Sequence, residues 1–133
     1  MTGVQTCALP ICGTSGSTTN INFGATASTT TVTVSGTIKT TNAIATTAAA
    51  PTIASAATIA PVAYITAISG TTSISTITVP SSMTSTGGQI VLIPTGLWST
   101  TTSGNIALAT TAVVNKALIM FWDGVGAKWY PSY

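Results

Sequence analysis

The side chains of this sequence that could do chemistry are few. Asp123 is the only acidic residue, histidine is absent, and the basic residues are Lys39, Lys116 and Lys128. A Ser-His-Asp triad needs a histidine and glycoside hydrolysis needs two carboxyl groups, so this chain can assemble neither. Asp123 is followed by Gly124, a pair that is typical of a tight turn. We therefore predict no catalytic residue, with Asp123 and Gly124 forming a turn.

Metal and cofactor chemistry also lack the residues they need. Cys7 and Cys12 are the only cysteines, and two thiolates without histidine or further cysteine are too few for a zinc site. Calcium sites need several oxygen ligands, and one carboxylate does not supply them. The glycine patterns that bind phosphate or dinucleotides, GxxxxGK[ST] and GxGxxG, do not occur. The sequence predicts no metal and no cofactor.

The aromatic residues near the C-terminus are the remaining candidates for a binding site. Such side chains could stack on carbohydrate, but packing in a core or an interface is their commoner use. We expect packing or interface contacts from Trp98, Trp122, Trp129, Tyr130 and Tyr133.

The charge of the chain limits its partners. A net charge of +2 over 133 residues is too small to attract nucleic acid strongly. Residues 48–61 are uncharged, but Pro51 and Pro61 interrupt a stretch that would need about 20 apolar residues to span a membrane. We predict no nucleic-acid partner and no membrane span. Between Lys39 and Lys116 no charge protects strand edges, so we expect the edges to be buried in a homo-oligomer.

The elements that would position these residues are short strands. Apolar runs rich in branched and aromatic residues occupy 89–94, 105–108, 117–122 and 128–130, and glycine, proline, asparagine or aspartate bounds them. An all-β fold follows, a short-strand β-sandwich or β-roll. Residues 89–94 and 117–122 are apolar at nearly every position, which predicts central strands that are covered on both faces.

Two further patterns concern strand pairing. Residues 64–69 and 73–79 are strand-like and are separated by three residues, which predicts a hairpin. Residues 87–93 and 103–109 have similar sequences sixteen positions apart, and equal spacing can mark stacked rungs. A β-solenoid with rungs of about 16 residues is therefore the alternative fold.

The N-terminal part has a different character. Residues 1–11 resemble the translation of a sequencing adapter, so we expect residues 1–12, with both cysteines, to be an artefact and the natural start to lie upstream. Residues 13–51 are rich in threonine, serine and alanine. Alternation at 31–38 and a short run at 21–23 predict strands there. Residues 52–133 form the expected C-terminal all-β module.

A family resemblance covers residues 52–133. The resemblance rests on three motifs. They are Gly-x-Ile-x-Leu-Ile-Pro-Thr-Gly at 88–96, Thr-Thr-x-Gly-Asn-Ile-Ala-Leu-Ala at 101–109, and Trp-Asp-Gly followed by Lys-Trp-Tyr at 122–130. This pattern resembles the C-terminal regions of tailed-phage virion proteins, such as tail-fibre-like and appendage proteins.

The resemblance implies a non-catalytic structural or receptor-facing virion component, often trimeric, that contacts other virion proteins or a host surface glycan. The alternative is an adhesin or carbohydrate-binding tail of a bacterial surface or secreted protein, located outside the cell or on its surface.

Overall fold

The computed structural model describes residue 37 and residues 50–133. Every element described below lies within Ile44–Tyr133, one of the two units into which the chain divides. The segment expected at residues 1–12, the strands expected at 21–23 and 31–38, and most of residues 13–51 lie outside the described residues.

Short strands dominate this part of the chain, and the all-β prediction is confirmed. One turn of 3-10 helix, Ser81–Met83, interrupts them. The strands are β1 (Thr52–Ala54), β2 (Thr58–Ile59), β3 (Ile65–Ser69), β4 (Thr76–Ile77), β5 (Gly88–Pro94), β6 (Leu118–Asp123) and β7 (Lys128–Pro131).

Five of these strands form a mixed sheet in the order β1-β3-β5-β6-β7. The first three are parallel, while β6 runs antiparallel to both β5 and β7. The prediction that the runs at 89–94 and 117–122 form central strands is confirmed, because β5 and β6 each have a neighbour on both sides. The prediction that both faces are covered is wrong: burial alternates along β6, and Phe121 is 45% exposed.

The hairpin predicted from residues 64–69 and 73–79 does not form. Residues 70–72 turn the chain from β3 into β4, which belongs to a different sheet. Gly70 allows this corner through a φ of +83°, a conformation that glycine adopts without steric cost. Loop length and composition fit either connection, but only the corner carries Ile74 and Ile77 into the core, where both are fully buried.

Parallel pairing joins strands that are distant in sequence. Thr52 lies opposite Ala67 and Ile65 lies opposite Val91, so successive parallel partners are 15 and then 26 residues apart. The parallel stacking of the solenoid alternative is therefore present in part. The two copies of the sixteen-residue repeat do not pair with each other, since the first is β5 and the second is a loop.

The second sheet consists of β2 and β4, which are parallel. The Asn105 amide continues this sheet: its Oδ1 accepts a hydrogen bond from Ile77 N at 2.9 Å, and its Nδ2 donates to Ile77 O at 2.8 Å. The strand predicted at 105–108 is not formed. Backbone bonds between Trp129 and the two residues Asn105 and Ala107 make a single bridge at Ile106 instead.

One apolar core fills the space between the two sheets. Two tryptophans donate hydrogen bonds to backbone carbonyls of core residues. Trp98 Nε1 donates to Ile68 O at 3.2 Å, and Trp129 Nε1 donates to Ile77 O at 3.1 Å. The buried apolar members are Ile59, Ile68, Ile74, Ile77, Ile90, Leu92, Trp98, Ile106, Ala112, Leu118, Met120, Trp122 and Trp129.

Candidate interaction surface

The side of the five-stranded sheet that faces away from the core carries an apolar surface, here called the outer face. Residues directly opposite each other on neighbouring strands project to the same side. The register places Val91 between Ile65 and Ile119, and Phe121 between Gln89 and Tyr130. The outer face has an apolar middle with polar residues around it. It consists of Ile65, Ala67, Gln89, Val91, Ile93, Ile119, Phe121 and Tyr130, with Thr52, Ala54 and Ser69 towards β1 and Asp123 and Lys128 at one end.

Local sequence explains why this face is apolar. Along β5 and β6 the buried positions alternate with Val91, Ile93 and Ile119, which are branched aliphatics that are only half-buried. A sheet with one solvated face normally alternates apolar with polar residues. Here the central solvated positions carry aliphatic and aromatic side chains, and that departure marks the outer face as a candidate interaction surface.

A row of larger side chains crosses one end of the outer face. Phe121 and Tyr130 are 45% and 47% exposed and lie side by side on β6 and β7. Gln89 lies on the other side of Phe121, and its Nε2 donates to the hydroxyl of Tyr64 at 2.5 Å. Tyr64, just before β3, is 41% exposed. Phe121 and Tyr130 on the outer face, and Tyr64 bonded to Gln89, are thus three partly exposed aromatic rings at this end of the sheet.

The charged groups of the described residues have their own nearby partners. Lys128 Nζ donates to Gly104 O at 2.6 Å, and Lys116 Nζ lies 3.9 Å from the centre of the Tyr133 ring. Asp123 Oδ1 accepts from Val125 N at 2.9 Å. Since Asp123 ends β6 and Lys128 starts β7 opposite it, the charges lie at the margin of the outer face and its centre is uncharged.

The three tryptophans predicted for packing or interface contacts are core residues. Trp98, Trp122 and Trp129 are at most 7% exposed, and the rings of Trp122 and Trp129 lie 5.2 Å apart. Trp122 Nε1 is buried without a hydrogen-bond partner. Their rings are not available for stacking on a ligand.

The structure separates the two predicted tyrosines from each other. Tyr130 belongs to the outer face, whereas Tyr133 is partly buried and its hydroxyl donates to Lys116 O at 3.0 Å. Asp123 and Gly124 lie where β6 enters the turn at residues 124–127. Sequence reasoning did not single out Tyr64 or Phe121, because Phe121 stood in a run that was interpreted as covered on both faces.

A cleft of about 450 Å³ opens at the end of the sheet where β3 and β5 begin, and its volume lies in the range of binding pockets. Tyr64, which is partly exposed, and Ile90, which belongs to the core, both line it, and so does Val62, which is 82% exposed. The lining of this cleft, here called the Tyr64 cleft, is Pro61, Val62, Ala63, Tyr64, Pro80, Ser81, Met83 and Ile90.

The part of the chain that the structure describes contains no cluster of metal-ligating side chains and no membrane-spanning helix. Within residue 37 and residues 50–133, no group of three or more histidine, cysteine, aspartate or glutamate side chains could hold a metal ion. Across the same residues, no helix is long and apolar enough to span a membrane.

Comparison of the chain with protein-family models, with curated proteins and with solved structures found no match.

Proposed function

We propose that this chain is a non-catalytic structural component that works as a homo-oligomer through its outer face. The observation that carries the proposal is the apolar, uncharged centre of that face, with Phe121 and Tyr130 nearly half exposed. Contiguous apolar surface of this kind is a mark of protein association sites. A second copy would remove the aliphatic and aromatic side chains from water, which contributes about 25 cal/mol for each Å² of apolar area.

The strand edge at β1 supports the same proposal. β1 ends the five-stranded sheet on one side and β7 ends it on the other. Free edges promote pairing between chains unless charge, proline or a bulge protects them. The β7 edge is covered, because Trp129 bonds to the backbone of Asn105 and Ala107, and this strand also carries Lys128 and Pro131. β1 carries no charge, so association there would cover an edge without electrostatic protection.

The resemblance of residues 52–133 to tailed-phage virion proteins gives the proposal its biological setting. We place the chain in the virion, in a tail fibre or another appendage, where its partners are further copies, other virion proteins or a host surface glycan. The number of copies, three, comes from the resemblance alone.

The second candidate is an adhesin or carbohydrate-binding tail of a bacterial surface or secreted protein. The exposed rings of Tyr64, Phe121 and Tyr130 favour it, because aromatic faces stack on sugars as well as on protein. It differs from the first proposal in what covers the outer face. Titration of the full chain with neutral and acidic polysaccharides, followed by tyrosine and tryptophan fluorescence, tests this candidate.

Sedimentation equilibrium of the full chain tests self-association. We expect a concentration-dependent oligomer at tens of micromolar, and we expect the double variant Phe121→Thr with Tyr130→Thr to shift it strongly towards monomer. Threonine suits a strand, so the fold is retained, and near-UV circular dichroism checks that.

The matched control is Leu108→Thr. Leu108 is 59% exposed and lies outside the strands that form the outer face, so this change should leave the association unaltered. A wild-type chain that is well folded and monomeric at these concentrations would contradict the proposal. So would equal weakening by the control and by the double variant.

A further inference from the structure

β1 is bonded to β3 through every second residue. Ala67 N donates to Pro51 O at 2.8 Å, and Ser55 N donates to Ser69 O at 2.7 Å. In a parallel pair, the residues of one strand that bond to a given neighbour alternate with residues that do not. Ile53 lies halfway between Pro51 and Ser55 and therefore directs its own backbone N–H and C=O towards β3 as well.

The two remaining residues of β1, Thr52 and Ala54, direct their backbone N–H and C=O groups to the other side. Within residues 50–133 the sheet ends at β1, so no described strand pairs with these groups. The side chains of both residues are exposed, whereas Ile53 between them is half-buried and packs against the core. Free donors and acceptors in a row along a sheet edge form a template for a further strand.

The spacing of these free groups fits a second copy of the same strand. In an antiparallel pair, residues that exchange both N–H···O bonds alternate with residues that exchange none. Two β1 strands that run antiparallel about a two-fold axis at Ile53 place Thr52 of each copy opposite Ala54 of the other. The free backbone groups of both copies are then paired, and the two Ile53 residues lie opposite each other in the pair without hydrogen bonds.

Other pairings of this edge fit less well. A shift by one residue would place Thr52 opposite Ile53, whose backbone groups are already directed towards β3, and it would turn the facing side chains to opposite sides of the sheet. The β7 edge is not equivalent, because Trp129 N donates to Asn105 O and Ala107 N donates to Trp129 O. β1 carries no charge, so two copies of it meet without electrostatic repulsion.

We propose that two copies of this chain join edge to edge through β1, antiparallel about a two-fold axis at Ile53, to form one continuous sheet. This inference rests on the proposed self-association and deepens it by naming an isologous edge contact, which is distinct from contact across the outer face. The hydrogen bonds of the main chain provide its affinity, as they do whenever a strand is added to a sheet edge. It therefore does not depend on a large apolar area.

Disulfide formation in the full chain tests both the contact and its register. Ile53→Cys is made in a background of Cys7→Ser with Cys12→Ser. The two Cα atoms at the axis would lie about 4.5 Å apart, within the range of roughly 4.4–6.8 Å that disulfides span. We therefore expect mild oxidation to link two copies.

Thr52→Cys in the same background is the matched control. Two Thr52 residues are diagonal neighbours across the axis, about 7–8 Å apart, which is too far for a disulfide without movement of the backbone. We expect at least about tenfold fewer linked dimers than with Ile53→Cys. Mixing Thr52→Cys chains with Ala54→Cys chains should restore the link, because these two positions lie directly opposite each other. That mixture also tests the register without altering Ile53.

Removal of one edge donor provides a second measurement. Ala54→Pro deletes an N–H that points away from β3, and proline is tolerated on edge strands. In sedimentation equilibrium it should weaken association about tenfold, which corresponds to about 1.4 kcal/mol. Ala54→Ser keeps the N–H and should weaken association less than about twofold. Near-UV circular dichroism checks that both variants are folded.

The outcomes separate this contact from the outer face. Disulfides of Ile53→Cys that persist in the double variant Phe121→Thr with Tyr130→Thr support a contact that is independent of that face. Linking by Ile53→Cys no better than by Thr52→Cys, with Ala54→Pro associating as well as Ala54→Ser, overturns the β1 contact and leaves the outer face standing. A wild-type chain that is monomeric at tens of micromolar overturns both.

Discussion

Replacing Asn105 with alanine should destabilise the fold, although Asn105 is not part of the outer face. The amide makes two hydrogen bonds to the backbone of Ile77, a residue that is fully buried. In Asn105→Ala, Ile77 O keeps its bond from Trp129 Nε1 at 3.1 Å. Ile77 N loses its acceptor, because no backbone strand lies beyond β4 in this two-stranded sheet.

The magnitude follows from that difference. A buried donor that is left without a partner costs about 1–3 kcal/mol, and the carbonyl that keeps one bond adds little. We therefore expect Asn105→Ala to lower the free energy of unfolding by about 2 kcal/mol. For a unit of this size, that is a fall in melting temperature of roughly 8–16 °C.

The assay is urea unfolding followed by the fluorescence of the buried tryptophans, at one fixed protein concentration because association would raise apparent stability. Ser103→Ala is the matched control. Ser103 lies two residues away in the same loop, and its exposed hydroxyl bonds only to the Thr101 hydroxyl at 3.0 Å. That change should cost less than about 0.5 kcal/mol.

The pH dependence of the stability of an Asn105→Asp variant provides a further test. The new carboxylate can accept from Ile77 N but repels Ile77 O, so the folded state raises the carboxyl pKa above its unfolded value. The folded state then binds the proton more readily, and stability should rise as pH falls from neutral, relative to the wild type. If Asn105→Ala costs no more than Ser103→Ala, the amide does not serve as the missing strand and this reasoning is refuted.

Three further predictions use matched pairs. Trp129→Phe should cost about 1–2 kcal/mol more than Trp122→Phe in urea unfolding. The first change removes a hydrogen bond to Ile77 O, which keeps its bond from Asn105 Nδ2, whereas the second removes a buried N–H without a partner and so relieves its desolvation cost; an equal cost would contradict this. Gly96→Ala should destabilise strongly, since its methyl group would meet the Gly70 backbone, whereas Gly87→Ala finds only ordinary contact with Trp122 O at 3.6 Å; thermal melts compare them, and a tolerated Gly96→Ala would be the refuting result. Asp123→Asn keeps an oxygen for Val125 N, so its unfolding free energy should change by less than about 0.5 kcal/mol, and loss of any measured activity in this variant would argue against a non-catalytic role.

The strands that the sequence predicted best are those with the strongest local signals. β5 and β6 are long runs of branched and aromatic residues, and β3 is a shorter run of the same kind. The turn after Asp123 followed from Asp-Gly. Each of these signals lies within a few neighbouring residues, where side-chain shape and backbone preference act directly.

The pairing of the strands and the burial of their faces could be known only from the tertiary structure. Paired residues of β1 and β3 are 15 positions apart in the sequence, and those of β3 and β5 are 26 positions apart. Local sequence does not determine which distant strand a given strand pairs with. The amide of Asn105 could be noticed beside Gly104, but its role depends on Ile77, which lies 28 residues upstream.

The sequence by itself therefore determined the all-β character and the scarcity of charged side chains, because these depend on composition and short patterns. Only the tertiary structure decided which face of an apolar strand is buried. It placed Trp98, Trp122 and Trp129 in the core and left Phe121 and Tyr130 exposed, since a second layer covers one side of the sheet and alternating side chains must then divide between that layer and solvent.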